Sequence, residues 1–182
     1  MPAIVLLSGS PSAQSRTGAL LHYAAKRFAA VELSTALYAV PDFPAEDLVL
    51  GRYGSPVFQP LIDDLADARG LVVCTPIYKA SYSGGLKTIL DILPQTALRG
   101  KTVLPLATAG SPAHQLAIDY ALKPVLSALG ATDLLQGVYL VDALFQVADD
   151  GSLVLPQDLQ DRLDRSIDRL AASARGRSAT SI

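Results

Sequence analysis

Five hydroxyls and one guanidinium crowd a ten-residue segment, Ser8-Gly9-Ser10-Pro11-Ser12-Ala13-Gln14-Ser15-Arg16-Thr17. Where such a segment opens a helix, the hydroxyls, Arg16 and the unpaired N–H groups of the first turn can hold a phosphate dianion. No Gly-Lys-Ser/Thr follows, so this is not the loop of the nucleoside triphosphatases, and the Gly-x-Gly-x-x-Gly spacing of dinucleotide turns is absent. A monophosphate fits this pattern better than a triphosphate or a pyrophosphate. A plain serine-capped helix start would carry the same residues, and from this segment alone both readings stand.

A second segment runs Thr75-Pro76-Ile77-Tyr78-Lys79-Ala80-Ser81-Tyr82-Ser83-Gly84-Gly85-Leu86-Lys87. Its prolines and glycines shape a backbone that can approach a flat ligand. Tyr78 and Tyr82 could touch a ring or simply cover the end of a sheet. A third segment, Thr108-Ala109-Gly110-Ser111-Pro112-Ala113-His114, leaves room for a planar group and offers backbone donors. His114 invites an acid–base role, but a histidine at a helix start more commonly caps or faces water. His22, inside a helix, has a weaker claim, and Lys87 reads as a surface or interface cation.

Other chemistries have little to stand on. The single Cys74 excludes a disulfide framework and a thiolate zinc site, and two histidines do not make a His-rich metal site. Cys74 reads as a small buried hydrophobe. No Ser-His-Asp set or Gly-x-Ser-x-Gly elbow is present. The pairs Asp63-Asp64 and Asp149-Asp150 read as solvated groups in a helix and a turn. Fifteen Lys plus Arg against 17 Asp plus Glu give −2, without the basic footprint of a nucleic-acid binder. The apolar run at residues 4–7 is too short for a signal or membrane span, so a reducing cytoplasm is the expected compartment. Binding loops with little side-chain chemistry point to a borrowed cofactor.

The elements that must position these loops can be read from apolar runs. The chain has 182 residues, half of them hydrophobic, which is one domain's worth. Strands are expected at residues 3–7, 31–38 (a weaker one), 70–74, 102–107 and 134–141. Helices are expected at 17–30, 57–68, 85–93, 114–129 and 157–174, the last with Leu159, Leu163, Ile167 and Leu170 on one face. Alternating strands and helices give an α/β, doubly wound, flavodoxin-like sandwich with a five-stranded parallel sheet, order 2-1-3-4-5. All three polar loops then leave the carboxyl ends of strands and face one crevice. Residues 40–56 read as a long loop, 144–155 as a hairpin insert, and 175–182 as a frayed tail after a single domain, 1–174. Pro124 has no N–H to give the carbonyl of Tyr120, so the helix 114–129 must kink or bulge there. A kink would keep Tyr120 in the core and a π-bulge would swing it out. Geometry leaves both open.

Together these segments resemble the NADPH-dependent FMN reductase family of flavodoxin-like proteins. Gly9-Ser10-Pro11, Ser15-Arg16-Thr17, residues 75–84 and Leu86-Lys87-Thr88-Ile89-Leu90-Asp91 carry the likeness. Residues 119–129, with Tyr120, resemble the branch that serves two-component alkanesulfonate monooxygenases. The likeness covers residues 3–140 and reaches the last helix only in pattern; the insert and tail match no motif. It implies that Ser10, Ser15, Arg16 and Thr17 hold the FMN phosphate. It implies that Thr75, Pro76, Ile77 and Tyr78, with Ser81, surround the flavin ring, and that Thr108, Ala109, Gly110 and Ser111 flank the ring or the ribityl chain.

The implied reaction is hydride transfer from the nicotinamide of NADPH to FMN, which needs two stacked rings and no catalytic side chain. Tyr120 would lie on a bulge at a subunit interface near the flavin and loosen its retention. A homo-oligomer, dimer or tetramer, is implied, as is a flavin-dependent monooxygenase that receives reduced FMN and desulfonates alkanesulfonates for sulfur acquisition. Competing readings are an FMN-containing quinone or azo-dye reductase, a flavodoxin-type electron carrier (for which −2 is a weak charge) and a ligand-sensing module. NADPH and NADH are not separated: Arg16, Lys79 and Arg99 are available to a 2′-phosphate but form no cluster.

Overall fold

A computed structural model describes residues 1–149 and 151–176. The chain begins with β1 (Ile4–Ser8), α1 (Arg16–Ala29), β2 (Thr35–Ala39), α2 (Ala45–Val49) and α3 (Gln59–Asp67). It continues through β3 (Gly70–Tyr78), β4 (Ser81–Tyr82), α4 (Gly84–Ile92), β5 (Thr102–Ala109), α5 (Lys123–Ala128), β6 (Asp133–Leu134) and β7 (Val138–Val141). A hairpin, β8 (Gln146–Val147) and β9 (Leu153–Val154), precedes α6 (Gln157–Gly176).

The parallel sheet runs β2-β1-β3-β5-β6, with β7 beside the far end of β5. This is the doubly wound order expected, its fifth position shared by β6 and β7. The continuous apolar runs of β1 and β5 are buried along their whole length, as strands covered on both faces must be. Period-two alternation splits them between two cores. Ile4, Leu6, Val72 and Leu104 pack under α1 and α6, while Val5, Leu7, Leu71, Val73 and Val103 pack under α3, α4 and α5. Leu20, Phe28, Leu163 and Leu170 are fully enclosed on the α1–α6 side, each worth roughly 1.5–3 kcal/mol of transfer from water.

Four expectations are corrected. Residues 40–56 are not a bare loop: a 3₁₀ turn at Val40–Asp42 and the short α2 lie there, and Leu48 enters the core. The weak strand starts at Thr35, because Val31, Glu32 and Leu33 donate their N–H groups back to the end of α1 and Glu32 takes a φ of 59°. The strand at 134–141 is broken in two: three steps of β5 from Val103 to Leu106 face four from Leu134 to Val138, an extra residue opposite the stretch that contains Pro105, which has no N–H for a ladder. Helix 114–129 is not one helix, as described below. The last helix reaches Gly176, with the Arg175 guanidinium on the Val31 carbonyl. Asp150 and the tail from residue 177 lie outside the described residues. Among the described residues no helix is long and apolar enough to cross a membrane, and no His/Cys/Asp/Glu group is placed to hold a metal.

Candidate functional site

The first loop folds onto its own hydroxyls. Ser8, Ser10 and Thr17 are buried, with Ser8 Oγ accepting the Ser10 N–H at 3.3 Å and Ser10 Oγ accepting the Ser12 N–H at 3.1 Å. Ser15 caps α1, its Oγ accepting the Gly18 N–H at 3.1 Å and lying 2.9 Å from Thr17 Oγ1. That cap leaves the N–H groups of Arg16 and Thr17 without an intrahelical carbonyl. No acid lies in the first turn. Arg16 is exposed, its guanidinium carbon 5.9 Å from the centroid of the Phe145 ring. Phe145 is itself buried to 2% and belongs to the α1–α6 core. The insert therefore has a use that its sequence did not reveal: it seats the loop's one cation. The N–H donors, the hydroxyls and a guanidinium that is in no ion pair among the described residues form a donor set that fits the phosphate of FMN.

The strand expected to end at residue 74 runs on to Tyr78, and the second loop begins as a hairpin. β3 continues through Pro76, where its pairing with β5 ends at Thr108, and turns at Lys79 and Ala80 with φ of 50° and 65° into β4. Thr75 is fully buried, and its Oγ1 donates to the Pro76 carbonyl and accepts the Ser83 N–H, both at 3.0 Å. Its hydroxyl thus shapes the loop rather than facing the crevice. Ser83, which the sequence reading passed over, caps α4 by accepting the Leu86 N–H at 3.1 Å and donates to the Gly9 carbonyl. A serine before Gly-Gly-Leu-Lys is a cap signal in its own right. The contact needs Gly9, where a Cβ would stand 2.8 Å from Leu86 Cβ. So the first two loops are stitched together under the crevice, with Ile77 and Ser81 half-buried and Tyr78 exposed on its rim.

The third loop ends β5. Thr108 and Ala109 are buried, Gly110 is exposed, and Ser111 Oγ accepts the Ala113 N–H at 3.1 Å to start a 3₁₀ turn, Pro112–His114. A Cβ on Gly110 or on Gly84 would meet no atom within 4 Å, so both face open space. The crevice brings Ser10, Ser15, Arg16, Thr17, Tyr78, Ser81, Gly110 and Ser111 to the carboxyl edge of the sheet, where the topology places ligands.

Beyond it the helix is interrupted as the Pro124 argument required. Tyr120 N–H still reaches the Leu116 carbonyl at 2.9 Å, but Ile118–Leu122 is a π-helical turn and the Lys123 N–H bonds the Ile118 carbonyl, five residues back. An Asp119–Lys123 ion pair at 2.6 Å spans the wide turn. Ile118, Leu122, Leu126 and Leu129 stay buried while Tyr120 is 79% exposed, which decides for the bulge over a core tyrosine. The turn packs beside β4 and therefore beside the second loop.

The remaining candidates fall away from the crevice or into the core. Cys74 is fully buried, and desolvation raises its thiol pKa well above the ordinary value, so it carries no reactive thiolate. His22 lies on the exposed side of α1 with Nδ1 2.8 Å from the Gly18 carbonyl, and His114 is exposed. Lys87 pairs with Asp91 at 2.5 Å on the surface of α4. Asp64 is not merely solvated: it accepts the Tyr38 hydroxyl at 2.6 Å. A cavity of about 740 Å³ lies between α1 and the hairpin, lined by Arg16, His22, Lys26 and Val147, to one side of the bed formed by the second and third loops. The bed is open where Gly84 and Gly110 face it.

The family model of NADPH-dependent FMN reductases matches residues 2–146. Two proteins named FMN reductase (NADPH) are similar: one from Escherichia coli (strain K12), 45% identical over 91% of this chain and 86% of its own length, and one from Pseudomonas putida KT2440, 48% identical over 91% and 84%. The NADH-dependent FMN reductase SfnF of Pseudomonas putida is 31% identical over 93% of this chain and 91% of its own. Among solved structures, an apo NADH:FMN oxidoreductase (EmoB) superposes with a TM-score of 0.84 at 40% identity, covering 95% of this chain and 90% of that one. An archaeal flavodoxin, at 11% identity and a TM-score of 0.61, shares the fold. A match over most of the chain, on a sheet of the same order with the loops gathered at its carboxyl edge, makes this oxidoreductase a member of the NADPH-dependent FMN reductase family.

Proposed function

We propose that the protein reduces FMN with NADPH and releases the reduced flavin to a flavin-dependent monooxygenase that desulfonates alkanesulfonates. FMN supplies the ring that accepts the hydride. The chain's part is to hold and orient. Ser10, Ser15, Thr17 and the first N–H groups of α1 take the phosphate, with Arg16 closing over it. Thr75 and Pro76 shape the hairpin, and Ile77, Tyr78 and Ser81 edge the ring on that side. Thr108, Ala109, Gly110 and Ser111 form the other side, where exposed backbone leaves room for stacking at near-attack distance. NADPH as donor is supported by the names of the relatives at 45% and 48% identity, against NADH in those of the relatives at 31% and 40%.

The observation that carries release rather than retention is the π-helical turn, which presents Tyr120 at 79% exposure beside the flavin hairpin. With the open bed it favours a second copy of the chain as cover, in a dimer or tetramer, with the turn at the interface. The test is the visible spectrum and the NADPH oxidation rate of purified protein, with and without added FMN. A colourless protein that needs free FMN, and that supports sulfite release when a flavin-dependent monooxygenase and an alkanesulfonate are added, is expected. Tyr120→Ala is expected to purify yellow and to pass electrons poorly to free flavin. A wild type that stays yellow through dialysis and reduces a quinone without added FMN would overturn the proposal.

A further inference from the structure

We infer that Tyr139 is a positioning residue for flavin binding: its hydroxyl fixes the carbonyl of Ser111 and so sets the shape of the loop at residues 108–111. This rests on the reading that this loop flanks the flavin. Tyr139 lies in β7 opposite Ala107 of β5. Its ring is buried against Ala107, Ala109 and Ile118, and its hydroxyl donates to the Ser111 carbonyl at 2.6 Å. The His114 N–H also faces that hydroxyl. The same residue is held from behind, where Arg162 of α6 donates to its carbonyl at 2.8 Å. One side chain therefore ties the fifth position of the sheet to the end of β5 and to Ile118, the first residue of the π-helical turn.

The geometry gives that hydroxyl a specific task. The end of β5 leaves the ladder at Ala109, the last residue paired with β7, and Gly110 is exposed with open space around it. Nothing in the ladder constrains the peptide groups beyond. The Ser111 carbonyl is where the chain must turn into the 3₁₀ segment, and Ser111 Oγ already serves that turn by accepting the Ala113 N–H. The Tyr139 hydroxyl supplies the second fixed point. Without it the backbone of Gly110 and Ser111 is free to sample conformations that do not fit a flat ligand, and binding carries the cost of ordering it.

Tyr139→Phe keeps the buried ring and removes only the hydroxyl. The Kd for FMN, read by flavin fluorescence, and the KM for FMN are expected to rise about three- to tenfold, the size of one lost hydrogen bond. The KM for NADPH is expected to move less than that for FMN. Tyr23→Phe, which removes a hydroxyl bonded to Asp164 on the α1–α6 side at 2.7 Å, controls for loss of a buried hydroxyl elsewhere and is expected to leave FMN binding unchanged. Gly110→Val tests the underlying reading separately: its Cβ meets no protein atom within 4 Å, and the side chain obstructs a ligand there. Weaker FMN binding in both Gly110→Val and Tyr139→Phe supports the inference. Weaker binding in Gly110→Val alone overturns it and leaves the flavin reading intact. Unchanged binding in Gly110→Val overturns the reading and the inference together, and equal losses in Tyr139→Phe and Tyr23→Phe overturn the positioning role.

Discussion

Under the proposed function, selectivity for FMN over riboflavin turns on Arg16. It stands at the first turn of α1, is in no ion pair among the described residues and is braced by Phe145. Hydrogen bonds to a charged group contribute roughly 1.5–3 kcal/mol each. Arg16→Ala is therefore expected to weaken FMN about ten- to a hundredfold and riboflavin, which lacks the phosphate, by less than about threefold. Equal losses for the two flavins in a binding titration would remove Arg16 from the phosphate site. The two residues that sequence chemistry most readily suspects, His114 and Cys74, have no task in the structure: one is exposed in a 3₁₀ turn, the other is enclosed with its thiol held protonated. His114→Ala and Cys74→Ala are each expected to keep turnover within about tenfold, about 1.4 kcal/mol of barrier. A thousandfold loss at either, with FMN still bound, would mean that the chemistry needs a proton donor or thiol after all.

At the scale of elements, the π-helical turn and the broken fifth strand meet at Gly137. Ile118 opens the wide turn and lies against Gly137, where a Cβ would stand 2.6 Å from Ile118 Cγ2, 3.0 Å from Cδ1 and 3.2 Å from the Pro105 carbonyl. Ile118 is buried in space that a side chain at residue 137 would occupy. Gly137→Ala is expected to destabilise the fold by roughly 1–3 kcal/mol, as overpacked cores do. A urea midpoint unchanged from wild type would show that the turn is not seated there.

For the whole molecule, protonation sets an alkaline limit. Burial raises the pKa of Cys74 above its ordinary 9.0 and those of Tyr23, Tyr38, Tyr82 and Tyr139 above their ordinary 10.0. Above about pH 9 the unfolded chain loses these protons while the folded chain keeps them. The stability they contribute is complete below that pH and is lost as pH rises through the raised values. Lys101, buried with Nζ on the Ala68 carbonyl at 2.8 Å, has its pKa lowered by desolvation and acts in the opposite sense just below 10.5. Lys87, hydrogen-bonded to Asp91, has its pKa raised above 10.5 and acts with the five, so the urea midpoint is expected to drop between pH 8 and 10.5. A flat profile would show that these groups titrate alike in both states.

The amino-acid sequence alone determined the order of the sheet and which loops leave its carboxyl edge. Apolar runs such as residues 70–74 and 102–107 are long enough to be strands buried on both faces, and polar, small-residue segments end them. It also required a defect near Tyr120, since Pro124 lacks a donor wherever the helix lies. What it could not decide depends on atoms far apart in the chain. Whether the defect was a kink or a bulge shows only in the packed turn, where Ile118 stays buried and Tyr120 faces out, and the break in the fifth strand shows only in its register against β5. Thr75 looked like a ligand contact until the hairpin brought Ser83 onto it. Phe145 gained its role by passing beneath Arg16, and Tyr139 by reaching Ser111 just past the end of the neighbouring strand. Local pattern encodes which residues are apolar and where the backbone can turn. Which side chain meets which hydroxyl is set by packing, and only the tertiary structure contains it.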